Sequence, residues 1–331
     1  MNQLPELPER DLPPARHRLL KEHLMTEIRR EDQAPAPRWD KGNKWLRPAL
    51  AAAAVATAAA VTVMVLPSGG GGTDDRPPGK APAAQPGTPT DERSGTPAVA
   101  LLENIALAAE QQTDYSGIED DQYVYIDSRV SYARYEEGGR TTIPPLHRSE
   151  QWTSVDGSRK GLIREQGRGR WATDPDPGPG EPGGEVATHY RHLSTLPTDP
   201  DGMYDWLRRT APDQGGQETE QAMFVLVGDL IRDAIVPPEQ NAALYRAVAR
   251  IEGVTVVENA VDALGRKAVA VARQDPDNPT RDEWLFDAGT HEFLGERSVA
   301  SEDYSDVRKG TVTSNTVITR RAVVDEAGRR P

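Results

Sequence analysis

Apolar residues fall along this chain in three regimes. Between Asp11 and Glu31, Leu12, Leu19, Leu20, Leu24 and Ile28 recur among charged neighbours, and Pro13-Pro14 suit a helix start. Leu20, Leu24 and Ile28 stand at i, i+4 and i+8, which predicts one amphipathic helix over about 12–31 with a single apolar stripe. From Leu46 to Leu66 the polar face disappears. About 21 residues there, mostly Ala, Val and Leu, give roughly 31 Å of helix, the thickness of a bilayer core. Beyond residue 97 helix-like and strand-like periods follow one another.

In that last regime Ala98 to Gln111 predicts a helix with Leu101, Leu102, Ile105 and Ala109 on one face. The stretch around Tyr123, Tyr125, Val130 and Tyr132 alternates as a half-buried strand would, and Asp156-Gly157 marks a hairpin turn between two further strands. Asp199-Pro200 supplies an N-cap and a proline at N1 for a short helix that turns Met203, Trp206 and Leu207 inward. A longer helix follows with Met223, Leu226, Val227, Leu230, Ile231 and Ala234 on one stripe, then another that starts at Pro238 and stops by Gly253. Five strand-like runs joined by tight turns complete the chain. Helices grouped before and among short strands predict an α+β domain: a single transmembrane helix, then an antiparallel β-sheet, open or of the half-barrel kind, packed by helices on one side. Such a sheet can enclose an apolar pocket.

Composition divides the chain further. Gly (29) and Pro (28) concentrate in 67–97 and again in 172–185, stretches too poor in large apolar residues to offset chain entropy. The expected organisation is a cytoplasmic segment (1–45), a span (46–66), a flexible tether (67–97) and an outer domain (98–325) with a disordered loop over 172–185. No residue between Arg47 and Asp74 is charged, while Arg38, Lys41, Lys44 and Arg47 precede the span, so the positive-inside rule places the N-terminus in the cytoplasm and the large domain outside. A cleaved export signal would begin nearer the chain end, and a soluble core helix would show a polar face. The net charge is -13, and the basic residues are enriched before the span, so the outer domain is acidic. That disfavours nucleic acid and anionic membrane surfaces as its partners. With no cysteine, disulfides, thiol catalysis and Cys-ligated zinc are excluded.

Candidate chemistry is sparse. No G-x-S-x-G, H-E-x-x-H, P-loop or G-x-G-x-x-G motif occurs, so no enzyme activity, cofactor or metal is expected. His189 and His192 are the one close histidine pair of the outer domain, and the acidic turns at 174–177, 199–201 and 275–278 read as turns and caps rather than calcium loops. Glu119, Asp120 and Asp121 read as a solvated loop. The aromatic residues say more: Tyr123, Tyr125, Trp152, Trp206 and Trp284 are the candidate lining of a pocket for an apolar or lipid-like ligand, with core packing as the plainer role.

Several stretches, QYVYIDSR, WTSVDG, LPTDPDGMYDWLR, AALYRAVARIEGV, DALGRKAVAVA and EWLFDAGTHEFLGERSV, resemble a family of actinobacterial single-pass membrane proteins typically encoded beside extracytoplasmic-function sigma factors. In fold the outer domain is also similar, distantly, to lipoprotein-carrier half-barrels. The resemblance implies a membrane-anchored extracytoplasmic sensor or binding protein linked to sigma-factor regulation. Leu20, Leu24 and Ile28 would then meet a cytoplasmic sigma factor or regulator. The alternative is a lipid or lipoprotein carrier of the cell envelope with no regulatory role.

Overall fold

A computed structural model describes residues 96–331 except 114, 116, 136–139, 176–183 and 212–217. The expected amphipathic helix with Leu20, Leu24 and Ile28, the span over 46–66 and the tether as far as residue 95 lie outside the described residues. Among the described residues no helix is long and apolar enough to cross a membrane.

Nine strands form one antiparallel sheet in the order β6-β5-β4-β1-β11-β10-β9-β8-β7. They are β1 (Tyr123–Tyr132), β4 (His147–Ser154), β5 (Gly161–Glu165), β6 (Gly169–Thr173), β7 (Val254–Val261), β8 (Lys267–Gln274), β9 (Thr280–Asp287), β10 (Phe293–Ala300) and β11 (Val312–Val324). A small separate ladder joins β2 (Arg134–Tyr135) to β3 (Thr141–Thr142). Consecutive strands are mostly neighbours, as tight turns require. The exceptions are β6 and β7, consecutive strands at opposite edges of the sheet with the helices between them in sequence, and β1, which sits centrally between β4 and the last strand, β11. That position explains its burial. The alternation of its sequence suggests one wet face, yet nearly every residue of β1 is buried, because both faces of a central strand are covered here.

The helices are α1 (Thr96–Glu110), α2 (Tyr190–Leu193), α3 (Pro200–Thr210), α4 (Thr219–Asp233) and α5 (Pro238–Val248). Each sends apolar side chains into one core, shared with strand residues such as Val124, Ile126, Trp284 and Phe286. The helices therefore occupy one face of the sheet. Helix α1 buries Leu102, Ile105 and Ala109, and α3 buries Met203, Trp206 and Leu207, as their spacing predicts. Asp199 caps α3 by accepting from the Gly202 N–H at 2.8 Å, with Pro200 at its first turn. Helix α4 carries one more large residue than its stripe suggests: Phe224 stacks on Trp284 at 3.9 Å between ring centroids. Gly228, one turn further, lets the helix backbone approach that indole, since a Cβ there would lie 2.7 Å from Trp284 Nε1.

Two boundaries shift from expectation. The first helix begins at Thr96, inside the stretch assigned to the tether. Ala172 and Thr173 belong to β6, and Gly184–Val186 form a 3₁₀ turn, so the expected loop is shorter at both ends.

Candidate functional site

Among the described residues the second face of the sheet carries no helix, yet much of it is buried, by two different devices. Across β7 to β10, Val257, Ala260, Ala268, Ala270, Ala272, Leu285 and Leu294 form a compact cluster. The guanidinium of Arg297 on β10 donates to the Val261 carbonyl on β7, and Arg266 in the β7–β8 turn reaches the carbonyls of Leu294 and Ile318 on β10 and β11. Strands β8 and β9 separate β7 from β10 in the sheet, so the sheet is strongly curled here. Alanine at three successive inward positions of β8 leaves the room that such curling needs.

Across β1, β4, β5 and β11 the burial is done by the chain after β11. Trp152 Nε1 donates to the Arg329 carbonyl at 2.5 Å, above a cluster of Tyr123, Tyr125, Trp152 and Val324. Arg330 then grips Glu150 with two hydrogen bonds, both 2.6 Å. Glu150 is only 2% exposed, and it also accepts from the Tyr125 hydroxyl at 2.8 Å. Arg148 and Arg164 lie 3.2 and 3.5 Å from it. Burial works to raise the Glu150 carboxyl, but the hydrogen bonds from Arg330 and Tyr125 and the charge of Arg148 outweigh it and hold the group down at about 2. Burial, reinforced by that same carboxylate, pushes the Tyr125 hydroxyl up to about 12.

Beside Glu150 opens a cleft of about 500 Å³ lined by Arg148, Arg164, Arg170 and Arg330 together with Glu150 and Glu165. Glu165 is engaged by His147 at 2.7 Å and by Arg168 at 3.4 Å. The cleft is thus a basic site on an acidic protein. A second cleft, of about 460 Å³, is lined by Glu110, Thr198, Glu239 and Arg246. Neither is lined by an aliphatic or aromatic side chain.

No protein-family model matches this chain, and no curated protein matches it. Solved structures do match. The complex of Pseudomonas aeruginosa MucA and MucB aligns at 16% identity and a TM-score of 0.24, over 71% of this chain and 59% of that one. A crystal structure of MucB aligns at 15% identity and a TM-score of 0.23, over 71% and 60%. This chain therefore spans about three-fifths of the length of the chains it matches.

The five aromatic residues singled out from the sequence do not share a cavity. Tyr123, Tyr125 and Trp152 pack together on the second face, whereas Trp206 and Trp284 belong to the helix-side core. Neighbouring positions in a strand face opposite ways, so parity, not aromatic character, decides which wall the four strand residues join, while Trp206 enters the helix-side core from α3. His189 accepts from the His192 N–H at the start of α2, which gives that pair a capping geometry. Among the described residues no three metal-ligating side chains converge. Asp275 accepts from the Asp277 and Asn278 N–H groups, the turn role that its sequence implies.

The residues missed from the sequence are the arginines. Their signal was legible in GLIREQGRGR: Gly167 marks a tight hairpin, and counting outward from it sets Arg164 opposite Arg170.

Proposed function

We propose that this chain is a membrane-anchored extracytoplasmic sensor or binding protein linked to sigma-factor regulation. A single span over 46–66 would hold the sheet-and-helix domain outside the membrane, and the segment bearing Leu20, Leu24 and Ile28 would meet a cytoplasmic regulator. One observation carries the reading: an uncharged run long enough to cross a bilayer, with basic residues on its N-terminal side and a Pro/Gly-rich stretch after it, precedes a folded α+β domain. The resemblance of the sequence to membrane proteins encoded beside sigma factors adds the regulatory link. A binding role is supported by the charged cleft on the sheet's second face. The carrier alternative, which draws on the half-barrel likeness and the curled strands, asks for an apolar cavity, whereas both clefts described above are lined by charged side chains.

The absence of cysteine makes the topology testable. Glu302 is exposed in the turn between β10 and β11, so Glu302→Cys offers a thiol that disturbs little. Intact cells carrying Glu302→Cys should label with a membrane-impermeant maleimide on a full-length chain, while Thr26→Cys should label only after lysis. Labelling of both, or of neither, in intact cells would sink the anchored topology. In the same cells Leu20→Ala with Leu24→Ala should change transcription from the partner sigma factor's promoters, and an unchanged transcript profile would remove the regulatory arm.

A further inference from the structure

The register of the sheet lines charged residues in one row across five strands: Arg320 on β11, Asp127 on β1, Glu150 on β4, Arg164 on β5 and Arg170 on β6. The row ends with two arginines directly opposed, an arrangement that destabilises a sheet unless an anion lies nearby. Glu150 cannot supply it to Arg170. Its oxygens are occupied by Arg330 and Tyr125, and Arg164 reaches it at only 3.5 Å while lying 5.0 Å over the Trp152 ring. Arg170 itself is exposed and makes no ion pair among the described residues. Its strand, β6, is the edge of the sheet and contains no proline, and among the described residues no strand pairs with its outer side. The next place in the row, beyond β6, calls for a negative charge on an added strand. Arginine rather than lysine at both positions suits a carboxylate, which the planar guanidinium can grip with two parallel hydrogen bonds.

We propose that β6 and the arginine cleft beside it form a docking site for an extended acidic peptide segment of a partner protein. The segment adds to β6 as a tenth strand, its backbone pairing with the outer edge and a carboxylate meeting Arg170 and, across it, Arg164. The proposal stands whichever side of a membrane the domain occupies.

The test uses the full chain in a neutral detergent and a fluorescent peptide of alternating Glu and Val, with a Gln-for-Glu peptide as control. The Glu peptide should bind with an affinity that falls as salt rises, and the Gln peptide should not bind. Arg170→Gln and Arg164→Gln should each weaken binding by about tenfold, the loss of roughly one charge-assisted contact. Removal of the opposed pair should leave Tm unchanged or raise it. Unchanged peptide affinity in these variants, or a lowered Tm with no effect on binding, would assign the arginines to the fold and overturn the proposal. Preferential capture of inorganic pyrophosphate, or of phosphatidylglycerol vesicles over the peptide, would overturn it in favour of a phosphate or lipid site.

Discussion

Individual side chains on the second face show how this molecule tolerates buried charge. Glu283 on β9 and Arg297 on β10 lie opposite one another, 2.7 Å apart, with side-chain exposures of 0% and 1%. Arg281 also contacts Glu283, and Arg297 passes a further hydrogen bond to the Val261 carbonyl. Such a pair gains little over well-packed apolar residues, but losing one partner strands a charge away from water. Glu283→Ala should therefore cost about 3–5 kcal/mol in chemical denaturation. Glu283→Met with Arg297→Met should recover most of that loss. A double variant no more stable than the single one would mean that the carbonyl contact of Arg297, and not its ion pair, holds the curl together. Neither partner stands out in the sequence, because EWLFD reads as an ordinary strand; only the register shows that its glutamate faces an arginine inside the curl.

At the scale of elements, most strand and helix identities followed from pattern, β2, β3, β6 and the short α2 excepted, and their bends did not. Gly295 illustrates the difference. It sits at φ 147° where β10 shifts register against β9, and a Cβ there would lie 2.0 Å from the Thr316 carbonyl oxygen of β11. Gly295→Ala must open the β10–β11 ladder or flatten the bulge, and should cost about 3 kcal/mol or more. A Tm within a degree or two of the parent would show that the strands can part locally without penalty. From the sequence, HEFLGERSV announces a strand, and the glycine within it announces a bulge or a close backbone approach without saying against which strand. The helices were more legible. Caps such as Asp199-Pro200 and stripes such as Met223, Leu226, Val227, Leu230 act within one or two turns, so local chemistry suffices to define them.

For the whole molecule, charge distribution matters more than charge. A net charge of -13 suggests a uniformly acidic surface, yet the fold gathers arginines at one edge of the sheet and carboxylates elsewhere. On the helix side Asp229, Asp233 and Glu296 surround Arg232, three carboxylates to one cation. Burial raises the Asp229 carboxyl to about 7; the charge of Arg232 opposes the shift, while Glu296 and Asp233 add to it. With 23% of its side chain exposed, solvent moderates the effect. Between about 4 and 7 the folded chain then holds a proton that the unfolded chain has lost, so this group's contribution to stability falls as pH rises through that window and is gone above it. Asp229→Asn should accordingly raise Tm most at pH 8, less at pH 5, and leave it nearly unchanged near pH 3. An equal effect at all three pH values would mean that Arg232 keeps Asp229 ionised throughout.

The sequence by itself determined what depends on neighbours along the chain: the longer helices and their buried stripes, most strands and turns, and the α+β character of the domain. It also marked the uncharged run that begins after Arg47, because length and charge are properties of a segment. The tertiary structure alone decided which strands meet. Pairing β1 with β11 joins residues nearly two hundred positions apart, sets β1 in the middle of the sheet, and brings the chain after β11, with Arg330, onto Glu150. Local pattern fixes the parity of a strand but not its partner, and the charged cleft exists only once the partners are chosen.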